Sequence, residues 1–90
     1  MTDSSYALEF TVNAEKDLRR LDRQIARRII LKLRAAAEVA GSGKHKALKG
    51  ELSDLYSLRV GSYRALYALY PVERVMVVEK IGHRREIYDE

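Results

Sequence analysis

The sequence has no cysteine and no tryptophan, and it has only one proline and two histidines. Without cysteine the protein has no disulfides, no thiolate metal ligands and no thiol nucleophile, which is compatible with a reducing compartment. The two histidines, His45 and His83, are too few for the common metal sites. The glycine patterns of phosphate-binding loops and dinucleotide-binding folds are also missing. These absences argue against metal, thiol and dinucleotide chemistry.

Long apolar runs are missing as well. No run approaches the roughly 20 residues that a membrane span needs. Residues 1–15 lack the basic start and the apolar centre of a signal peptide. We therefore expect a soluble, cytoplasmic protein that has no membrane partner.

The composition that remains is typical of a small folded domain. Hydrophobic residues make up 47% of the 90 residues and charged residues 33%, which is too apolar for a disordered tail. This length predicts one domain that covers residues 1–90. The 17 Lys and Arg residues outnumber the 13 Asp and Glu residues, and the formal charge of +4 favours polyanionic partners without naming one.

The first element predicted from the sequence is a β-strand. From Tyr6 to Val12 apolar and other residues alternate, which is the pattern of a half-buried strand. Asn13 is of a residue type that caps helices, and carboxylates follow it where they complement the positive end of a helix dipole. We therefore expect a helix that begins near Ala14.

The next segment predicts two helices. Asp22 can cap a second helix, so we expect an antiparallel pair with a tight joint near Leu21 and Asp22, although periodicity alone also fits one long helix. Gly41 and Gly43 are expected to end the second helix. The apolar stripe of this segment, in steps of three or four, consists of Leu18, Leu21, Ile25, Ile29, Leu33 and Ala36.

Residues 41–54 predict a basic loop, because they hold three glycines and three lysines and show no sustained period. Three strand-like runs follow, joined by Gly61-Ser62 and by residues 71–73. The order β-α-α-β-β-β implies an α+β domain in which a helical hairpin packs on one face of a small, mainly antiparallel sheet. The predicted strands are Leu55–Val60, Tyr63–Tyr70 and Arg74–Ile81.

Two arginines are the sharpest local clue to a site. If Gly61 and Ser62 form a two-residue loop, Arg59 lies opposite Arg64, and strand alternation places both on the sheet face that the helices leave open. Like charges in this position are destabilising, so they are either neutralised or kept for an anion. Guanidinium groups match phosphate well. The alternative is that the arginines extend into solvent or pair with Glu51, Asp54, Glu79 or Glu86.

The segment after the last predicted strand is the second candidate site. It contains His83, Arg84, Arg85 and Tyr88 within six residues. Histidine can carry a proton near neutral pH, arginine can stabilise a phosphorane, and tyrosine can stack on a base. A solvated tail is the alternative interpretation.

Taken together, these motifs resemble the RelE/ParE superfamily of type II toxins, specifically its RelE-like branch. The resemblance covers nearly the whole chain in order and includes the opening strand and the helical hairpin. Its most specific parts are LKGELSDLYSLRVGSYRALYAL and VMVVEKIGHRREIY. The combination is much more specific than any one piece.

The resemblance implies a stress-response toxin that acts as an mRNA interferase. Such a toxin enters the ribosomal A site, cleaves the bound mRNA by attack of a ribose 2'-hydroxyl on the adjacent phosphate, and so inhibits translation. The resemblance also implies an endoribonuclease that needs no metal or other cofactor. Its implied partners are the ribosome, mRNA and a cognate RelB-like antitoxin that silences it.

The resemblance assigns roles to individual residues. Arg64 would hold the scissile phosphate and its developing charge, while Arg59 would position the phosphate. Arg84 would assist the same charge or the leaving oxygen, and Tyr88 would orient or stack on the nucleotide. The remaining candidate RNA contacts are Lys44, Lys46, Lys49 and Ser57.

This sequence departs from the RelE pattern at one informative position. Ser57 stands where the RelE branch often has a second lysine, so His83 is a candidate proton carrier, as in histidine-using relatives. Arg59 is a poor general base because the arginine pKa stays above about 12.

Two other functions stay open. One is a ParE-like inhibitor of DNA gyrase that shares the scaffold and has no nuclease chemistry, and the other is an inactive member that only binds an antitoxin. The exposed helix arginines are interpreted as a solvated face, with ribosomal RNA docking as the alternative. They are Arg19, Arg23, Arg27 and Arg34.

Overall fold

A computed structural model of the protein describes residues 5–42 and 55–83, which form a four-stranded sheet with two helices packed on one face. The predicted β-α-α-β-β-β order and the α+β class are confirmed. The elements are β1 (Ala7–Phe10), α1 (Val12–Arg20), α2 (Arg23–Glu38), β2 (Tyr56–Val60), β3 (Tyr63–Tyr70) and β4 (Val75–His83).

The strands lie in the order β1-β4-β3-β2. β1 pairs in parallel with β4, and the other neighbours are antiparallel, so the sheet is mainly antiparallel as predicted. Parallel neighbours need a long crossover connection. In this chain the connection from β1 to β4 contains α1, α2, β2 and β3. β1 and β2 are therefore the two edge strands.

The core lies between the helices and the sheet. Ile29 and Leu33 of α2 are at most 1% exposed, and they belong to one buried cluster with Ala65 of β3 and with Met76 and Val78 of β4. Complete burial of such an apolar side chain contributes about 1.5 to 3 kcal/mol. The predicted apolar stripe of the helices therefore faces the sheet.

Helix α1 begins two residues earlier than the sequence predicts. Thr11 is its N-cap: the Ala14 N–H donates to Thr11 Oγ1 at 3.1 Å, so the expected cap, Asn13, lies inside the first turn. Thr11 is selected by its tertiary contacts, because its hydroxyl also donates to the Glu79 carbonyl of β4. Because Thr11 already caps the helix, β1 ends at Phe10. Val12 is 66% exposed and belongs to α1, not to the strand as predicted.

The predicted joint between the helices is confirmed. Asp22 is the N-cap of α2, because its Oδ2 accepts a hydrogen bond from the Gln24 N–H at 3.1 Å. Leu21 caps the end of α1 through its own N–H. An acceptor side chain at an N-cap stabilises a helix by about 1 kcal/mol.

Neither α1 nor α2, the α-helices of the described residues, combines the length and the apolar character that a membrane span requires.

Helix α2 does not end at a glycine as predicted. It ends at Glu38 with Val39 as its C-cap, and a 3-10 turn over Ala40–Ser42 follows, which includes Gly41. The Val39 N–H bonds back to the last carbonyls of the helix, so a left-handed glycine is not needed. Gly43 lies outside the described residues.

Strands β2 and β3 form the predicted two-residue hairpin. Gly61 has a φ of +58°, and the left-handed region favours glycine because it has no Cβ. A glycine at the first loop position is typical of a type II' turn. The next connection is less regular: Arg74 has a φ of +60°, and its N–H donates to the Tyr70 carbonyl at 2.7 Å. β4 then begins at Val75, one residue later than predicted.

Candidate functional site

The hairpin places two arginines side by side. In the β2–β3 register Arg59 lies opposite Arg64, as the sequence predicts. Val60 and Tyr63 close the two-residue turn, so the adjacent arginine pair is a non-hydrogen-bonded pair, in which side chains come closer together. Strand alternation then places both guanidinium groups on the sheet face away from the helices.

The two arginines differ in their surroundings. Arg64 is partly buried, and its Nη1 donates to Ser57 Oγ at 3.2 Å. Its Nε atom is buried. Arg59 is exposed, and its Nε makes only a long contact of 3.5 Å to the Gly61 carbonyl. The orientation of Arg64 is therefore better defined than that of Arg59. Its hydrogen-bond partner Ser57 is itself a predicted RNA contact.

The face around Arg64 is less open than the sequence predicts. Leu66 follows Arg64 on this face, opposite Ser57, yet it is only 4% exposed and lies outside the main core cluster. The sequence pattern gives only the side of the sheet on which Leu66 lies, whereas burial depends on the tertiary surroundings. An apolar neighbour lowers the local dielectric, so an anion at Arg64 interacts more strongly than it would in water.

His83 does not lie with the two arginines. It ends β4 opposite Tyr63, whose side chain belongs to the helix-facing set, and the two rings meet edge to face with centroids 5.5 Å apart. His83 also lines a polar cavity of about 190 Å³ with Asp17 and Arg20 of α1. Alternation places His83 on the side of Ile81 and therefore opposite the arginine face.

Several predicted site residues lie outside the described part of the chain. They are Lys44, Lys46, Lys49, Arg84 and Tyr88, and the acidic residues Glu51, Asp54 and Glu86, which the sequence offers as alternative partners of the arginines, also lie there. Within residues 5–42 and 55–83, no group of three or more His, Asp or Glu side chains is arranged to hold a metal ion.

Residues 8–88 match the family described as the ParE toxin of the type II toxin-antitoxin system parDE. The chain belongs to this toxin family.

Individual relatives support the family assignment. Toxin RelG of Mycobacterium tuberculosis is 29% identical over 83 residues, which cover 92% of this chain and 95% of RelG. A mutant of the Escherichia coli toxin RelE in the free state superimposes with a TM-score of 0.77 at 28% identity, covering 96% of this chain and 93% of that one. A chain of the toxin-antitoxin complex RelBE2 of M. tuberculosis superimposes with a TM-score of 0.77 at 26% identity, covering 92% of this chain and 98% of that one.

The toxin's arginine face can bind phosphate. Guanidinium groups stay protonated at any physiological pH and donate parallel hydrogen bonds to phosphate oxygens. Arg64 is held from one side by Ser57, so part of its orientation is fixed before a ligand arrives. A site of this kind stabilises negative charge that develops on a phosphate.

Two basic residues of α2, Arg28 and Lys32, lie close to the β2–β3 hairpin, and the sequence pattern does not predict this. Lys32 Nζ donates to the Arg59 carbonyl at 3.2 Å, and Arg28 lines a depression beside the Gly61 turn. The pattern placed both residues off the apolar stripe and gave no reason to connect them with β2. Their spacing of four residues, which puts two like charges on one helix face, was the available signal.

Proposed function

We propose that this toxin is a ribosome-dependent endoribonuclease that cleaves mRNA in the A site and thereby inhibits translation in the cytoplasm. The observation that carries the proposal is the cross-strand pair of Arg59 and Arg64 on one sheet face. The similarity of the chain to RelE toxins over most of its length supports it.

In the proposed reaction the 2'-oxygen of a ribose attacks the adjacent phosphorus while the bond from phosphorus to the 5'-oxygen breaks. The products are a 2',3'-cyclic phosphate and a 5'-hydroxyl end. Negative charge increases on the non-bridging oxygens during the attack, and Arg64 is the group positioned to stabilise it. Arg59 holds the phosphate electrostatically. The 2'-hydroxyl loses one proton and the departing 5'-oxygen gains one, so the reaction has no net proton change. Neither arginine accepts the 2'-hydroxyl proton, because the arginine pKa stays above about 12.

Further residues have proposed roles in the same reaction. Arg84 assists the developing charge or the leaving oxygen, and Tyr88 orients or stacks on the nucleotide. Lys44, Lys46 and Lys49 contact RNA from the predicted basic loop. A role for His83 as proton carrier requires the substrate to reach the helix-facing side of β4, because its ring lies against Tyr63 there.

A RelB-like antitoxin is the proposed protein partner. The structurally similar M. tuberculosis toxin is found in a toxin-antitoxin complex. Within the described residues, β1 and β2 each have one edge that no other strand pairs with, and the arginine face offers positive charge to an acidic segment.

DNA gyrase inhibition is the second candidate function. It is favoured by the description of the matching family, which names the ParE toxin. A gyrase inhibitor has no need for a phosphate-binding arginine pair, so the two candidates differ in what they require of Arg64.

The test is in vitro translation of a defined mRNA with purified toxin, with cleavage mapped by primer extension in the presence and absence of ribosomes. We expect cuts within the A-site codon only when ribosomes are present. Arg64→Ala should lower the cleavage rate by about 100-fold or more, which is the typical cost of removing a group that stabilises the transition state. Arg34→Ala removes an exposed helix arginine and serves as the matched control.

Intact mRNA at high toxin concentration would rule out the nuclease. A gyrase supercoiling assay would then follow, and inhibition that survives Arg64→Ala would favour the second candidate. Circular dichroism of both variants shows whether they retain the fold.

A further inference from the structure

Helix α2 carries a strong excess of positive charge. Between Arg23 and Glu38 it has five basic side chains and a single acidic one, Glu38, at its last position. Arg28 and Lys32 are four residues apart and therefore lie on the same helix face, where two like charges are mildly destabilising. Asp22 lies at the opposite end of the helix as its cap, so neither acidic residue is within a turn of this pair.

The pair lies at the free edge of the sheet. Lys32 Nζ donates to the Arg59 carbonyl at 3.2 Å, and this carbonyl belongs to edge strand β2. Because Arg59 is in a non-hydrogen-bonded pair with Arg64, its carbonyl points away from β3 and toward the open edge. The contact between Lys32 and β2 therefore covers that edge with a cation.

The surface beside this contact is accessible. Arg28, Leu31 and Lys32 of α2 line a shallow depression of about 450 Å³ together with Val60 and Gly61 of the hairpin. A smaller cavity of about 140 Å³ at the same turn is lined by Arg28, Gly61 and Ser62 among others. A Cβ added to Gly61 would meet no atom within 4 Å. A ligand can thus approach the turn from outside.

Arg28, Lys32 and Arg59 form one surface, which we call the basic strip. It runs from α2 around the free edge of β2 and ends beside Arg64 on the sheet face. An RNA strand with its scissile phosphate at Arg64 meets these cations next as it leaves the face across this edge.

We propose that the basic strip binds the phosphates of the mRNA strand that flank the cleaved position. This inference rests on the proposed function and extends it to a second part of the surface. A shallow surface that presents three cationic side chains along the edge of the sheet suits a phosphodiester backbone. An acidic protein helix needs a broad apolar floor instead. The toxin has a broader floor of this kind in the adjacent groove between α1 and α2, which shares Leu31 with the depression and is also lined by Leu18, Leu21, Ala26 and Ile30 among others.

The test compares two charge-reversed double variants on the same helix. Arg28→Glu/Lys32→Glu alters the basic strip, and Arg27→Glu/Arg34→Glu changes the net charge equally at the α1–α2 groove. Affinity is measured for ribosomes programmed with an mRNA that has 2'-deoxyribose in the A-site codon, since it lacks the attacking hydroxyl, and for ribosomes without mRNA. The same mRNA with ribose reports cleavage by the unaltered toxin.

We expect the strip variant to bind programmed ribosomes at least about tenfold more weakly, with the groove variant within about twofold of the unaltered toxin. Neutralising the pair in Arg28→Gln/Lys32→Gln should reduce the slope of log affinity against log salt by about 1.4, the value for two single-strand phosphate contacts. If charge reversal prevents folding, the neutral variant replaces the charge-reversed strip variant in the binding comparison.

Three results would overturn the inference. Equal losses in both charge-reversed variants would indicate general electrostatic attraction, and an equal loss on ribosomes without mRNA would assign the strip to ribosomal RNA. If the neutral variant binds programmed ribosomes normally but loses affinity for polyglutamate, the strip serves an acidic protein. The proposed function is judged separately, because cleavage by the unaltered toxin is measured in the same experiment.

Discussion

Burial alters the chemistry of Tyr67 on β3. Its side chain is 2% exposed and stacks on Tyr56, with ring centroids 5.8 Å apart. Burial raises the pKa of Tyr67 from 10.0 to about 12, and the neighbouring Tyr56 adds to the rise. The folded state therefore holds the phenolic proton more tightly than the unfolded chain does.

The raised pKa of Tyr67 predicts a loss of stability in alkali. Its contribution is fully present below pH 10 and is lost as the pH rises toward about 12, because the unfolded chain ionises first. The total is about 2 to 3 kcal/mol at 1.36 kcal/mol per pKa unit. Urea unfolding across this range should show a shallower pH slope in Tyr67→Phe. Tyr70→Phe, at a half-exposed tyrosine, should keep the original slope, and equal slopes in the two variants would contradict the prediction.

Arg64 and Arg59 show how far local sequence predicts a site residue. Their facing positions follow from the two-residue turn at Gly61-Ser62, which fixes the register within a few residues. The register does not predict that the Arg64 side chain is held more firmly than the Arg59 side chain. Arg64 is oriented by Ser57 and lies beside buried Leu66, and neither fact can be deduced from alternation alone.

Strand β4 is longer than its partner β1, and α1 compensates for the difference. β1 pairs with β4 only as far as Val78. Beyond that point α1 supplies the missing partners: Thr11 Oγ1 donates to the Glu79 carbonyl at 3.1 Å, and Asp17 Oδ2 accepts from the Ile81 N–H at 2.9 Å. The helix thus covers the edge of β4 that leads to His83.

Asp17→Ala should destabilise the protein by about 1 to 3 kcal/mol, because the partly buried Ile81 N–H loses its acceptor. The loss should be smaller in Asp17→Asn, which keeps a side-chain carbonyl oxygen. Thermal unfolding measures the difference, with about 4 to 8 °C expected per kcal/mol for a domain of this size. Amide exchange at Ile81 should be faster in Asp17→Ala, and unchanged protection there would show that another acceptor takes its place.

The elements themselves were largely predictable, whereas their ends were not. The cap at Asp22 was correct because capping is local, within two residues. The cap of α1 was wrong because Thr11, rather than Asn13, is fixed by a contact with Glu79, 68 residues away in the chain. The expected glycine end of α2 was wrong because the helix closes on its own carbonyls at Val39.

At the scale of the whole molecule, the number of phosphate contacts sets how binding responds to salt, and the positive net charge favours such contacts. The formal charge is +4. If Arg64 and the three residues of the basic strip contact mRNA phosphates, four contacts predict a slope of about −2.8 in log affinity against log salt. Affinity for mRNA-programmed ribosomes should then fall roughly 50-fold between 50 and 200 mM salt. A flat response in a binding assay would contradict electrostatic recognition of RNA.

The sequence by itself determined the α+β class, the order of the elements, the joint at Asp22 and the register of Arg59 against Arg64. Each depends on periodicity or on contacts between near neighbours, where the chain has few conformations to choose from. Only the tertiary structure decided the burial of Leu66, the helix-facing position of His83 and the contact of Lys32 with β2. Whether distant residues meet depends on how the two helices dock on the sheet, because packing sums over the whole chain and leaves no local pattern.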